Sequence, residues 1–544
     1  MAAVIGRVFD HELLTRIADH SDANLRAALE KLIDAELVFR RGKPPDATYT
    51  FKHALVRDAA YESLLKARRR QLHEKAAGIL EERTANWVET HLELLAHHYS
   101  EAGLWKEAIE KWLLAGNRSA RRAANREAIG LIGRGLEMVG KLPPGPQALR
   151  LELELVMTLG GCLRTLRGWA HEATVDAVHR ARSLSERLEG APHGNAIGIG
   201  EYTVHLLRGE LRETVALGHR LLETASRSGS NLHPYVGHRV CGIGLFSTGR
   251  FEEARIHLES ALSEYNADLE RETVHHIGYY STATLHAYMG HVLWHLGFPD
   301  QALRHLQRGI DEAVELRHVP TQAFACFQMV YHHGPLMRND VDGMASALTQ
   351  YRQLVGERDF LTWSTVMRSA EAWIRCGREH CEGALEEIRE NIEWWKNNAG
   401  KLVVPWLLIL QARTQDRAGR SDLALHSVDE AMVWVERFGE HWQLAEIYRY
   451  KGDLVARSQG SESAGQGDCY RKALEIARDQ SSLAIELRAA TSLARLWADQ
   501  GNCKDAHDLL APVYSRFGEG FQTSDLEAAA TLLAKLSLDQ GDRG

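Results

Sequence analysis

The residues best suited to chemistry in this sequence are histidine, cysteine and tryptophan, and each is clustered. There are 28 histidines in 544 residues, with adjacent pairs at His97-His98, His275-His276 and His332-His333. A metal centre needs three or four converging ligands with supporting hydrogen bonds. Neighbouring histidines on a helix point about 100° apart and rarely share an ion, so the pairs read as surface or interhelix packing groups. Cys376, His380 and Cys381 form the tightest ligand-type cluster. No second pair at zinc-finger spacing accompanies it, so it too reads as packing. His11-Glu12, His73-Glu74 and His171-Glu172 begin like a zinc-protease motif, but Thr15, Ala77 and Val175 stand where a second histidine is required. Trp394, Trp395, Trp406, Trp434 and Trp442 crowd one stretch. Exposed aromatics anchor peptides and ligands, which makes these five candidate partner-binding residues, with helix-packing core as the alternative. The basic run Lys66-Ala67-Arg68-Arg69-Arg70 reads either as a phosphate contact or as a solvated helix face.

Phosphate chemistry is argued against more directly. No stretch reads G-x-x-x-x-G-K-[ST]; the pairs Gly42-Lys43, Gly140-Lys141 and Gly400-Lys401 are followed by Pro, Leu and Leu. Without the backbone cradle, the lysine and the magnesium-binding hydroxyl, nucleotide hydrolysis has no site. No nucleophilic triad emerges, so no catalytic, cofactor or metal residue is expected and the chain reads as non-enzymatic. The formal charge of −8 gives no electrostatic footprint for nucleic acid. No apolar run reaches the roughly 20 residues that span a bilayer. Seven scattered cysteines without a framework suggest free thiols and a cytoplasmic setting.

The elements that must carry these residues are helices. Prolines number only 12, and Ala, Leu, Glu and Arg dominate. Glycines that precede a helix start recur at Gly103, Gly168, Gly209, Gly249, Gly297, Gly377, Gly419 and Gly501. The intervals 168–209, 209–249 and 377–419 are 41, 40 and 42 residues. Five residues after the glycine, six of the eight positions are alanine, as at Ala108, Ala254, Ala302, Ala424 and Ala506. Seven residues before it, seven of eight are Gly or Ala, as at Ala96, Gly242, Gly290 and Ala412. Nine residues after it stand Trp112, Leu258, Leu306, Val428 and Leu510. Two antiparallel helices approach closely only where side chains are small. The glycine ends the first helix in a left-handed turn. A unit near Asn339-Asp340 has lost its glycine, and around Gly377 Ala384 takes the alanine role.

This pattern resembles the tetratricopeptide repeat, with a period nearer 41 than the usual 34, over roughly residues 90–535. The start of the chain differs. Phe9 to Asp19 reads as a helix, and Ser21 caps a second one with Leu25, Ala28, Leu29 and Leu32 on one face. Leu37-Val38-Phe39 and Thr48-Tyr49-Thr50-Phe51 read as strands around a turn at residues 41–46. That order is the order of a winged-helix domain. The segment Phe51-Lys52-His53-Ala54-Leu55-Val56-Arg57-Asp58-Ala59-Ala60-Tyr61 and the ending Phe517-Gly518-Glu519-Gly520-Phe521-Gln522-Thr523-Ser524-Asp525-Leu526 resemble bacterial STAND-type signalling ATPases of the adenylate cyclase-associated kind.

The resemblance implies a right-handed, all-α solenoid of tetratricopeptide-like hairpins behind a small winged-helix-like α+β domain. The expected layout is residues 1–55 as a partial winged helix, 56–89 as a helical connector, 90–535 as the solenoid and 536–544 as a disordered tail. His53, Arg57, Asp58 and Tyr61 are the family-motif residues it implies. The nucleotide-binding module and the cyclase would lie upstream or in a separate chain, making this the C-terminal half. The implied function is a sensor that binds a partner protein, peptide or small effector. The alternative is a DNA-binding regulator using residues 1–55, although helix 21–35 offers only Arg26 and Lys31 beside Asp22, Glu30 and Asp34.

Overall fold

A computed structural model describes residues 1–18, 21–122, 124–227, 232–266, 270, 274, 278, 280–356, 361–376, 381–459 and 464–541. They form two compact units. The first comprises Met1–Leu166 with Ser183–Leu188, the second Arg167–Arg182 with Glu189–Gly544.

The first unit opens on a small antiparallel sheet of three strands, β1 (Val8–Asp10), β2 (Val38–Arg41) and β3 (Thr48–Phe51), in the order β1-β3-β2. Phe9 and Asp10, expected in a helix, lie in β1, because Phe9 pairs with Tyr49 across the ladder and stacks on its ring at 5.4 Å. The helix begins two residues later than expected, spanning His11–Ile17, and the Asp10 carboxylate accepts the Leu13 N–H at 2.6 Å. Ser21 caps helix Asp22–Asp34 as expected. Leu25 and Leu29 are buried there, Leu32 is half-buried and Ala28 is exposed.

One apolar core includes residues on both sides of positions 55 and 89. Helix Lys66–Glu81 places Leu72, Ala76, Ala77 and Leu80 in one core with Phe9, Leu13 and Leu14, and the same core reaches Tyr99 and Ala108. The sheet and the first hairpins therefore bury one shared apolar surface. The expected tail is also partly ordered: helix Ser524–Gly541 runs through 536–541 with Leu536 fully buried.

The second unit is an α-solenoid of helix hairpins. The repeat register holds in detail. Gly103 in the first unit and Gly168, Gly209, Gly249, Gly297, Gly419 and Gly501 in the second all have φ between +74° and +90°, the left-handed turn for which glycine is suited; Gly377 lies outside the described residues. At Gly290 a Cβ would sit 2.8 Å from the Ala302 carbonyl oxygen and 2.8 Å from Leu306, so the small residue, the alanine and the bulky apolar residue of the motif meet at one helix crossing. Asn339 replaces the missing glycine at φ +52°, as the non-glycine residue best suited to that conformation.

The inner helices Pro234–Ser247, Ser281–His295 and Val319–His333 are buried nearly all round. Ser281–His295 buries fourteen of its 15 residues, whereas its outer partner Pro299–Glu315 buries six of 17. A helix covered on every side needs neighbours on both faces. Here they come from across the groove: Phe246 stacks on Trp442 at 5.5 Å, and the His295 ring nitrogen Nδ1 lies 2.8 Å from Ser482 Oγ. Within this unit the solenoid closes on itself, about 190 residues apart in sequence. No helix among the described residues is long and apolar enough to cross a membrane.

Candidate functional site

The tryptophan cluster is structural for the most part. Trp395, Trp406 and Trp442 are buried, and Trp394 and Trp434 are half-buried. Trp395 donates to Thr365 Oγ1 at 2.9 Å, Trp406 stacks on Tyr331 at 5.1 Å, and Trp442 donates to Glu440 at 2.8 Å. The closure of the groove converts expected anchors into core. Trp434 packs on Phe438, and Lys401 sits 5.8 Å over its ring.

The motif residues of the first unit have separate fates. His53 is exposed at the start of helix Ala54–Glu62 without a capping bond. Arg57 Nε donates to the adjacent Asp58 at 2.8 Å. Tyr61 links two elements: its hydroxyl donates to Glu101 at 3.0 Å and lies 3.0 Å from His73 Nε2, while His73 Nδ1 lies 2.9 Å from His98 Nδ1. Burial holds His73 down at about 4 and His98 at about 3, so both imidazoles are neutral near pH 7. Within the basic run Arg69 lies 5.0 Å over the Tyr61 ring, a packing role rather than a free phosphate contact.

Cys376 and Cys381, expected as free thiols, form a disulfide: they stand at the end of helix Leu361–Cys376 and just before helix Glu382–Trp394, with their Cα atoms 4.5 Å apart. His380 of the same cluster, and His275-His276, lie outside the described residues. No group of three or more His, Cys, Asp or Glu side chains arranged to hold a metal ion is found among the described residues.

The feature best shaped for a ligand is one the tryptophans did not point to. A cavity of about 350 Å³ opens in the second unit, within the usual size range of ligand sites. Its walls come from the end of helix Ser281–His295, the turn at 338–342, helix Leu483–Asp499 and the segment 517–527. Trp294, Leu487 and Phe517 supply apolar surface. Glu519 ties one edge shut, accepting the N–H groups of Asp300 and Gln301 at 2.9 Å each, while Gly520 N–H donates to Asp300 at 3.0 Å.

Arg338 is the polar centre of this cavity. Its side chain is 16% exposed, and Nε and Nη1 are shielded from water without a hydrogen-bond partner. The nearest carboxylate, Asp340, lies 3.8 Å from Nε and is committed elsewhere: it caps Gly343 N–H at 2.9 Å and sits 3.1 Å from His333 Nδ1. Asp525 accepts from Arg488 Nε at 2.8 Å. An arginine carries five donors in a fixed fork; with Nε and Nη1 shielded, Nη2 is the guanidinium nitrogen through which an acceptor in the cavity would be met. Two sequence signals bore on the place: the glycine lost at Asn339-Asp340 and the segment 517–526.

No protein-family model matches the chain. An uncharacterized protein of Rhizobium meliloti (strain 1021) is 24% identical over 509 residues, covering 91% of this chain and 48% of that protein. The chain thus spans about half the length of the curated relative it matches. Solved structures with partial likeness are a Rap protein complexed with competence and sporulation factor (13% identity, TM-score 0.36, 80% of this chain and 98% of that one) and the Cut9–Hcn1 assembly of the APC/C (12%, 0.37, 96% and 98%). A third is a signal transduction ATPase with numerous domains and a tetratricopeptide repeat sensor from Pyrococcus horikoshii (11%, 0.28, 99% and 59%).

Proposed function

We propose that this chain is a non-catalytic, effector-binding helical-repeat module, and that the cavity at Arg338 is where it takes its ligand. The carrying observation is an underpaired guanidinium lining a cavity of about 350 Å³. Closure of the second unit supports the same assignment, since buried inner helices leave the rim, rather than the groove, to receive an effector. The resemblance to STAND-type signalling ATPases supports a cytoplasmic sensor whose nucleotide-binding and cyclase modules lie elsewhere in a longer protein or in a separate chain. The relative of about twice the length is consistent with that context. The three-stranded sheet with its flanking helices supports a winged-helix-like start. Trp434 and Trp394, half-buried, are the members of the tryptophan set with surface left for a protein or peptide partner.

The test is thermal-shift and calorimetric screening of the full chain and of Val341→Trp, which fills the cavity from its wall, against small metabolites and short peptides. Ligands that bind the wild type and not the filled variant are the expected result; a screen in which the two chains behave alike would remove the assignment. ATP turnover by the purified chain is expected to be absent.

The DNA-binding alternative gains little from the geometry. Arg26 is held by Asp22 at 2.6 Å, and Arg40 is paired with Glu30. A gel shift titrated with salt is expected to show no salt-sensitive complex.

A further inference from the structure

The chemical class of the ligand follows from which charges in the cavity and just behind its wall are already spent. Asp340 serves as a helix cap and a histidine partner, Asp525 pairs with Arg488, and Asp300 accepts from Gly520. Burial works against the charge of Arg338 and holds its pKa below the usual arginine value; the three carboxylates partly offset this, but none of them gives it a hydrogen bond. What remains uncommitted is asymmetric. Deep in the site stands one cation, Arg338; at the margin stand two exposed carboxylates, Asp342 and Glu527.

The inner end has further capacity for an anion. Helix Ser524–Gly541 is 18 residues long and starts in the cavity wall. Its first-turn N–H groups have no helical acceptor and carry the positive end of the macrodipole. Thr523 and Ser524 add hydroxyl groups beside them. Between the two ends, Trp294, Leu487 and Phe517 form apolar wall, with Trp294 held from behind by Arg488 at 5.1 Å from its ring. A simple anion would be drawn to Arg338 and repelled by the rim; a simple cation would meet the reverse. A ligand bearing both charges, with an apolar body between walls, satisfies each group.

Resting on the assignment of the cavity as the ligand site, we infer that it binds a zwitterion of the amino-acid class. Its carboxylate meets Arg338 and the start of helix Ser524–Gly541, its ammonium faces Asp342 and Glu527, and an apolar side chain lies against Trp294, Leu487 and Phe517. The volume admits one large amino acid or a small dipeptide.

Three probes separate the charges: L-phenylalanine, hydrocinnamate, which lacks the ammonium, and phenethylamine, which lacks the carboxylate. Calorimetry on the full chain is expected to rank L-phenylalanine first, with hydrocinnamate roughly tenfold weaker and phenethylamine weakest, one charge-assisted contact accounting for about a factor of ten. Arg338→Gln should weaken L-phenylalanine at least about tenfold, and Arg338→Lys should restore part of it. The double variant Asp342→Asn/Glu527→Gln should weaken L-phenylalanine about tenfold and leave hydrocinnamate unchanged or tighter, a selectivity that general loss of structure does not produce. Equal binding of L-phenylalanine to wild type and Arg338→Gln, or tighter binding of phenethylamine than hydrocinnamate, overturns the inference. If zwitterions fail but another class binds and is lost in Val341→Trp, the ligand class is wrong and the site stands. If no probe separates wild type from Val341→Trp, both fall.

Discussion

The same glycine, at the same place in the repeat, meets two different fates in this molecule. At Gly419 and Gly501 a methyl group would meet nothing within 4 Å. At Gly209, Gly249 and Gly297 it would strike Phe438 at 2.6 Å, Gln480 at 2.4 Å and Leu483 at 2.5 Å. All five adopt left-handed backbone, so the turn alone does not distinguish them. What differs is the neighbour. The turns of the early hairpins in the second unit press against residues some 190 to 230 positions later, while the later turns face open space. A repeat motif thus encodes local conformation identically, and closure of the solenoid adds a second, non-local demand on only part of the set.

The largest expected effect is at the closed turns. Gly209→Ala carries the left-handed penalty, about 1–2 kcal/mol, and an overpacking cost of about 1–3 kcal/mol against a rigid ring. A loss near 3 kcal/mol in urea unfolding followed by tryptophan fluorescence is expected. A loss no larger than that of Gly419→Ala would break the distinction between the two kinds of turn.

Acid should open the same closure. His295, stacked on Phe251 at 4.0 Å, and His291 nearby are fully buried, and burial lowers both, His291 to about 4. In the unfolded chain these rings take up protons near pH 6.5, and in the folded chain only at lower pH. Stability is therefore complete above about 6.5 and declines as pH falls toward 4, by up to about 3 kcal/mol for His291. His291→Gln should flatten that decline; thermal melts from pH 7 to 4.5 read it out, and an unchanged slope would show that the inner cluster does not titrate with unfolding.

Glu440 works in the opposite direction. Its carboxyl is buried beside Trp442 and pushed well above the usual carboxylate range by loss of water. The unfolded chain releases this proton above about pH 4.5 while the folded chain keeps it, so folding is penalised increasingly as pH rises from there toward the raised value. Glu440→Gln keeps an acceptor for the Trp442 N–H and removes the penalty. Its stability at pH 7.5 should exceed wild type by about 1–2 kcal/mol, with little difference at pH 5. A variant less stable at both values would mean that the charged form is the one the core requires.

The smallest effect belongs to the open turns. Gly419→Ala and Gly501→Ala should each lose about 1 kcal/mol from backbone strain alone.

Much of this molecule was legible in its residues. Glycine turns, alanine at plus five and a small residue at minus seven follow from the steric needs of a helix hairpin, and those needs are local. The short strands and the Ser21 cap were legible for the same reason. Phe9 and Asp10 were misread as helix because their strand exists only through pairing with β3, residues 48–51. The tryptophans were ambiguous because burial is a property of what lies opposite, and sequence spacing is silent about a helix two hundred residues away.

The amino-acid sequence by itself determined a helical-repeat chain without a phosphate-binding loop, down to the register of its turns, because those features depend on contacts within some 40 residues. Tertiary structure alone decided that the solenoid closes, that Trp395, Trp406 and Trp442 are core, and that Arg338, Asp342 and Glu527 share one cavity. Those outcomes depend on pairs of surfaces far apart along the chain, whose meeting is set by the summed rotation of every hairpin between them.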